Sequence, residues 1–230
     1  NELAGPTGIQ AHLSVEDYAR DFKVFSDLVR ETWPVRTPKR IAADSAFNSA
    51  WVSAFLDAVD GDVDIFTHHQ YFLGPGVSNN LTSKIMSPHY LDRIKGFGTT
   101  VQSRVKAHAP HAKIWIGEAG GAYNSGHHLV TDAFISGFWY LDNLANLAQH
   151  GHQAFCRQTL VGGNYGLLNT TTLSPNPDFY SALLWQRLMG QNVLNTSVNG
   201  PAALRAYAHC TRDHPSKVTV LVMNMGSNVS

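Results

Sequence analysis

A chain of 230 residues that is 43% hydrophobic, 15% charged and 10% aromatic carries enough apolar material for one globular domain, or for one domain and part of another. Its 17 Lys and Arg balance its 17 Asp and Glu and form no basic run, so charge does not indicate nucleic acid or bulk polyanions as partners. No apolar run approaches the ~20 residues that span a bilayer, the first residue is Asn rather than Met, and no signal-peptide pattern opens the chain.

After Asn1-Glu2-Leu3 comes a Gly/Pro-rich loop, then a predicted helix from Val15 to Thr32. Ser14 and Asp17 make a capping-box-like start, Tyr18, Phe22, Phe25 and Val29 share one face, and Pro34 ends the helix. Arg40–Asp44 reads as a short strand, and a helix from Asn48 to Val59 turns Trp51, Ala54, Phe55 and Ala58 inward. Val63–Tyr71 is the next strand, with its polar residues gathered at the C-terminal end, followed by a loop over Phe72–Ser87. A helix from Pro88 to His108 has Tyr90, Ile94, Phe97, Val101 and Val105 in register. Ile114–Gly117 is a buried strand that runs into Glu118 and a glycine-rich loop. A helix from Val130 to Gln149 uses Phe134, Phe138, Leu141 and Leu144, and Ala154–Leu160 forms another strand. Asn176-Pro177 is an N-cap and N1 pair that opens a helix ending at Met189-Gly190. Beyond it, Leu204–Cys210 and Val218–Met223 read as antiparallel β structure, the start of a second domain.

Arg40 to Gly190 is therefore β-α four times over, the pattern of a parallel sheet with crossover helices. A doubly wound sheet favours a phosphate loop after its first strand, and none is present. A (β/α)8 TIM barrel fits better, and the chain reads as its C-terminal half, from the end of strand 4 to helix 8. The expected division is a partial barrel over residues 1–192 and a β domain from 193 to 230. Open edges on both sides should make such a piece, taken alone, unstable or prone to aggregate.

Parallel barrels place their chemistry at the C-terminal ends of strands. Those ends offer Asn1-Glu2, His68-His69 with Tyr71, Glu118 with Tyr123, and Arg157-Gln158 with Asn164-Tyr165. Burying Glu118 costs several kcal/mol unless the charge is paired or used. A helix cap or a surface ion pair is the plain alternative, but no helix starts directly after it. On the repeat count, Glu2 and Glu118 follow strands 4 and 7 and face one another across the barrel mouth. Two carboxylates across a cleft are the equipment of a glycoside hydrolase. Alone, Glu2 reads as a frayed terminus; beside Asn1, whose amide can bond a sugar 2-hydroxyl, it reads as functional. Adjacent strand residues point to opposite faces, so His68 and His69 do not suggest a shared metal, and neither a metal nor a cofactor is expected. Tyr123 and Tyr165 are rim aromatics or ligands, and His127-His128 belongs to a solvated loop.

Cys156, in an apolar strand, reads as a buried free thiol, and Cys210 lies at the end of the strand read over Leu204–Cys210. Four N-x-S/T sequons, at Asn80, Asn169, Asn195 and Asn228, lean towards the secretory pathway. That means an extracellular, lysosomal or vacuolar, or membrane-associated location. An unpaired Cys210 there would imply a partner outside this chain.

Together, Asn1-Glu2, T-H-H-Q-Y, W-I-G-E-A-G-G-A-Y-N-S-G, C-R-Q-T-L-V-G-G-N-Y-G-L-L, P-N-P-D-F-Y-S-A-L-L-W-Q-R-L-M-G and Y-A-H-C resemble the heparanase-like β-glucuronidases of glycoside hydrolase family 79, plant-type members above all. The resemblance covers essentially the whole chain and is most specific around Glu118 and Arg157–Leu168. It implies a (β/α)8 barrel with a β-sandwich and a retaining β-glucuronidase acting on a glucuronic-acid-containing glycoside or polysaccharide. Glu118 matches the nucleophile, Glu2 the acid/base and Asn1 the neighbouring amide. Tyr123, the backbone of Asn124 and Ser125, Gly163 and Tyr165 match the loops that hold the substrate carboxylate. Gln158 matches a sugar-hydroxyl contact, and His69 with Tyr71 lines the cleft. Cys210 matches a cysteine that pairs, in the family, near the C-terminus. The mammalian heparanases flank the cleft with basic clusters that this chain lacks, and Asn124-Ser125 stands where their loop has glycines. Competing readings are a related retaining glycosidase for neutral sugars and an inactive carbohydrate-binding relative.

Overall fold

A computed structural model describes residues 2–3 and 12–226. The elements in order are α1 (Val15–Thr32), β1 (Ile41–Ala46), α2 (Ser49–Ala58), β2 (Ile65–Gln70), α3 (Leu81–Ile85), α4 (Pro88–His108), β3 (Lys113–Ala119), α5 (Ser136–Gln149), β4 (His152–Arg157), a 3-10 turn at Gly163–Tyr165, α6 (Pro177–Leu188), β5 (Met189–Leu194), β6 (Leu204–Thr211) and β7 (His214–Asn224). The strands make two sheets, ordered β1-β2-β3-β4 and β5-β6-β7. In the first, β1 with β2 and β2 with β3 are parallel; in the second all pairs are antiparallel. The expected α/β class with a parallel sheet is therefore present. The chain divides into two compact units, one built from the segments up to Gln70, Phe97–Ala119 and Gly151–Cys156, the other from Tyr71–Gly96, Gly120–His150 and the segment from Arg157 on.

In the first unit, α1 starts where Ser14 caps it: its hydroxyl oxygen accepts from the Asp17 N–H at 3.0 Å. Asn48 caps α2 in the same way, accepting from the N–H groups of Ala50 and Trp51. Unpaired donors at a helix start cost about 1 kcal/mol each time such a cap is lost. The core joins Phe22 of α1, Val52, Phe55 and Leu56 of α2, Phe66 of β2, Val101 and Val105 of α4 and Ile114 of β3. Phe55 is edge-on to Tyr18 and Phe22 and stacked on Trp51. Each such buried side chain contributes about 1.5–3 kcal/mol. At the N-terminal end of β2, burial raises the Asp64 carboxyl, but the backbone and guanidinium of Arg40 and the ammonium of Lys39 outweigh it and hold it at about 2.

Several expectations need correction here. Phe25 is half exposed, because the seam of α1 runs through Ala19, Phe22, Ser26 and Val29. Ala54 and Ala58 face solvent, and Val52, Phe55, Leu56 and Val59 face inward instead. Cys156 is a free cysteine but an exposed one, since β4 ends the sheet order and buries only His152 fully.

In the second unit, α5 begins at Ser136, not Val130; residues 130–135 are turns and Phe134 is exposed. The buried side of α5 is partly polar. The Asn146 amide donates to the Tyr207 hydroxyl at 2.9 Å, that hydroxyl donates to Asp142 at 2.6 Å, and Arg205 approaches Asp142 at 3.4 Å. These bonds tie α5 to β6 around a small core of Ala145, Tyr207 and Met223. Burial raises the Asp142 carboxyl above its usual range despite Arg205. Asn176 precedes Pro177 at the start of α6 as expected, but its side chain donates to the Gly166 carbonyl rather than capping. Three apolar rows stay exposed: Val24, Phe25 and Leu28 on α1, Tyr180, Leu184 and Leu188 on α6, and Val218, Val220 and Val222 on β7.

Candidate active site

The first unit gathers four chemistry-bearing side chains, Asp44 of β1, His69 of β2, Glu118 of β3 and Glu2, centred on one imidazole. β2 is buried along all six residues, polar ones included, so its polar groups must find partners inside. A register shift falls between His68 and His69. His68 turns to an aromatic surround of Phe47, Phe66 and Phe97 and meets His152 of β4, Nε2 to Nε2, at 2.9 Å. Complete burial holds its imidazole well below the usual range.

His69 turns elsewhere. Its Nδ1 meets Glu2 Oε1 at 2.8 Å, and its Nε2 meets Asp44 Oδ1 at 2.8 Å. The same Nδ1 lies 4.0 Å from Glu118 Oε2, and His69 is the register partner of Glu118 in β3. Burial pulls the His69 ring down, but the hydrogen bonds of Asp44 and Glu2 and the charge of Glu118 outweigh it and leave it above its ordinary value. Glu2 and Glu118 are thus both within reach of one ring nitrogen. Their oxygens are no further apart than those two distances laid end to end. Among the described residues, no group of three or more His, Cys, Asp or Glu is arranged to hold a metal ion.

The second unit assembles the other residues the sequence singled out. The loop after Tyr71 pairs with 121–123: the Leu73 N–H donates to Gly121, the Tyr123 N–H to Gly74 and the Gly76 N–H to Tyr123. Tyr71 and Tyr123 lie edge to face, their centroids 6.3 Å apart. Asn124 and Ser125 follow with left-handed backbones and exposed side chains, and the Ser125 carbonyl accepts from the Asn164 N–H at 2.6 Å. That bond brings the Asn124-Ser125 loop to Gly163. Gly120 is the point of convergence. A Cβ there would lie 2.9 Å from the Tyr71 ring, 3.4 Å from the Gln158 carbonyl and 3.5 Å from the Tyr165 ring, so only glycine lets the three approach. The Gln158 amide donates to the Tyr165 hydroxyl at 3.5 Å. Asn1 lies outside the described residues.

Sequence reasoning missed three features. Asp44 ends R-I-A-A-D as an acid at a strand end, the very signal that marked Glu118. His127 is half-buried rather than solvated, bonded through Nδ1 to the Gly76 carbonyl at 2.7 Å. Arg157 donates to the Tyr165 carbonyl and to Asp178, both at 2.9 Å, while Ser136 donates to the same Asp178 oxygen. Both partners are almost wholly buried, and Arg157 lies over the Tyr140 ring, whose hydroxyl burial pushes up to about 12.

The parallel α/β sheet defines the class by fold, one that solved glycosidases also have. The solved GH51 arabinofuranosidase from Xanthomonas axonopodis pv. citri shares it, with a TM-score of 0.74 at 12% identity, over 100% of this chain and 51% of that one. Residues 1–145 match the Glycosyl hydrolase family 79 N-terminal domain, and the chain belongs to that family. It is 43% identical to heparanase-like protein 1 of Arabidopsis thaliana over 99% of its own length, and 42% identical to baicalin-beta-D-glucuronidase of Scutellaria baicalensis over 97%. It spans 42% of the length of each of those two relatives.

Proposed function

We propose that the protein is a retaining β-glucuronidase that removes β-linked glucuronic acid from a glycoside or polysaccharide. The observation that carries this is the meeting of Glu2 and Glu118 at one nitrogen of His69, at 2.8 and 4.0 Å. Retaining enzymes hold their carboxyl groups about 5–5.5 Å apart and inverting enzymes about 6.5–9.5 Å. The limit set by the shared nitrogen for one oxygen of each carboxyl is compatible with the retaining spacing and leaves little of the inverting range.

In this reading Glu118 attacks the anomeric carbon while Glu2 gives its proton to the leaving oxygen. Glu2 then takes a proton from water, whose oxygen displaces Glu118 from the sugar. Asn1 bonds the sugar 2-hydroxyl. Tyr123, the Asn124-Ser125 backbone, Gly163 and Tyr165 receive the substrate carboxylate through N–H and O–H donors, Gln158 holds a sugar hydroxyl, and His69 and Tyr71 line the sugar site. The work of baicalin-beta-D-glucuronidase, a relative named for a glucuronide, supports the substrate class. The reading includes the C-terminal half of a (β/α)8 barrel over 1–192, the start of a β-sandwich over 193–230, and a secreted, glycosylated protein. The exposure of the sequon residues Asn80, Asn169 and Asn195 agrees with glycosylation; Asn228 lies outside the described residues.

Trapping with a 2-fluoro glucuronide in the full-length protein tests the assignment. The sugar label is expected on Glu118, and a label on any other residue refutes it.

A further inference from the structure

The reaction needs a carboxyl group on Glu2 whose proton points at the leaving oxygen. A carboxyl has two oxygens, and something must decide which one carries that proton. The Glu2 Oε1 atom is engaged by His69 Nδ1 at 2.8 Å. The far side of the ring is engaged by Asp44 Oδ1, also at 2.8 Å. A carboxylate at Nε2 and the unprotonated oxygen of a carboxyl at Nδ1 are satisfied together when both ring nitrogens bear protons. The His69 side chain is 2% exposed and that of Glu2 17%, so water competes little for their bond, whereas the Asp44 side chain is 54% exposed and holds the ring from the solvent side.

Asp44 is held for this position. Its backbone N–H donates to the Thr67 hydroxyl at 3.1 Å, and the Tyr18 hydroxyl donates to the preceding Ala43 carbonyl at 3.0 Å. The clearest sign lies on β3. A Cβ on Gly117 would sit 2.6 Å from Asp44 Oδ1, the oxygen that meets His69. Glycine before Glu118 therefore leaves the space in which the Asp44 carboxylate meets the ring, and a larger residue there would displace that carboxylate.

We propose that Asp44 is a positioning residue: it holds His69 as a ring protonated on both nitrogens, whose Nδ1–H fixes Oε1 of Glu2 and leaves the catalytic proton on Oε2. This rests on the glucuronidase reading and adds to it the control of the acid. The ionisable groups around the ring are Asp44 on β1, His68 beside it on β2, Glu118 on β3 and Glu2; Tyr18 of α1 and Cys156 of β4 interact with Asp44. Without the Asp44 charge, the ring gives up its proton at lower pH. The Glu2 proton then turns to Oε1 and the bare Nδ1, away from the leaving oxygen.

The test compares Asp44→Asn and Gly117→Ala with wild type in the full-length protein, with thermal melts to verify folding. Gly117→Ala moves the Asp44 carboxylate without removing its charge. Two substrates are used: the glucuronide of a weakly acidic phenol, which needs protonation to leave, and that of dinitrophenol, which does not. Both variants are expected to lose about tenfold or more on the first substrate, a fraction of what general acid catalysis supplies, and less than about threefold on the second. The alkaline limb of their pH profiles moves to lower pH. The His69 ring, followed by nitrogen-15 NMR, titrates lower in Asp44→Asn.

Wild-type leaving-group dependence and pH profile in a folded Asp44→Asn variant would overturn the proposal and leave the glucuronidase reading standing. So would an unmoved His69 titration. A wild-type protein that cleaves neither glucuronide would bring down that reading, and this proposal with it.

Discussion

Replacing Asp178 with Leu should be among the most damaging single changes in the second unit. The Asp178 and Arg157 side chains are 2% and 5% exposed and meet at 2.9 Å. Burial raises the Asp178 carboxyl, and Arg157 and Ser136 pull against that rise. Removing the acid strands a guanidinium in an interior where Nε and Nη1 already lack partners among the described residues. Breaking a buried pair from one side costs about 3–5 kcal/mol, because the surviving charge keeps its desolvation penalty and loses its compensation. For a chain of this size that is a fall of roughly 6–20 °C in melting temperature. Urea unfolding and thermal melts of Asp178→Leu, Arg157→Met and the double variant measure it. The double variant should recover most of the loss, since two apolar side chains leave no orphaned charge. A single variant within about 1 kcal/mol of wild type, or a double variant as unstable as the single, would refute the reasoning.

Two further outcomes are expected. His68 is held neutral, so the unfolded chain takes a proton that the folded one refuses; this part of the stability is full above the ordinary histidine value near 6.5 and falls as pH drops, by up to about 1.4 kcal/mol per unit. His69, raised in the folded state, acts in the opposite sense, so the difference between wild type and His68→Phe in urea midpoints from pH 7.5 to 5 isolates the first effect. Tyr165→Phe should lower kcat/KM for an aryl glucuronide by about tenfold or more while sparing the matching glucoside, because a hydrogen bond to a charged group contributes about 1.5–3 kcal/mol; equal losses on both would favour a neutral-sugar glycosidase.

The repeated β-α units of the first sheet were legible because apolar spacing and caps agreed: Ser14 and Asn48 stop the backbone where the pattern begins. Glu118 was legible because a charge after an apolar strand needs a reason. The misses share a cause in contacts distant in sequence. The buried face of α5 carries Asp142, Asn143 and Asn146, which no apolar period marks, and Asp142 and Asn146 find Tyr207 more than sixty residues away. The helix read as far as Met189-Gly190 ends at Leu188, and Met189 opens β5, which β6 pairs with. Asp44 looks like an ordinary strand-ending acid until His69 and Gly117 are seen beside it. α3, with five residues, is too short for periodicity to reveal.

The slip in register between His68 and His69 has a consequence for how this stretch tolerates change. Two identical letters, one peptide apart, live opposite lives: one is sealed dry and bare, the other clasped by acids. A single deletion in β2 upstream of the pair would seat His69 in the aromatic surround and set Gln70 before the acids, while an insertion would seat Thr67 there and bring His68 to the acids. Either way one ring is lost from its place, although both histidines are still in the chain.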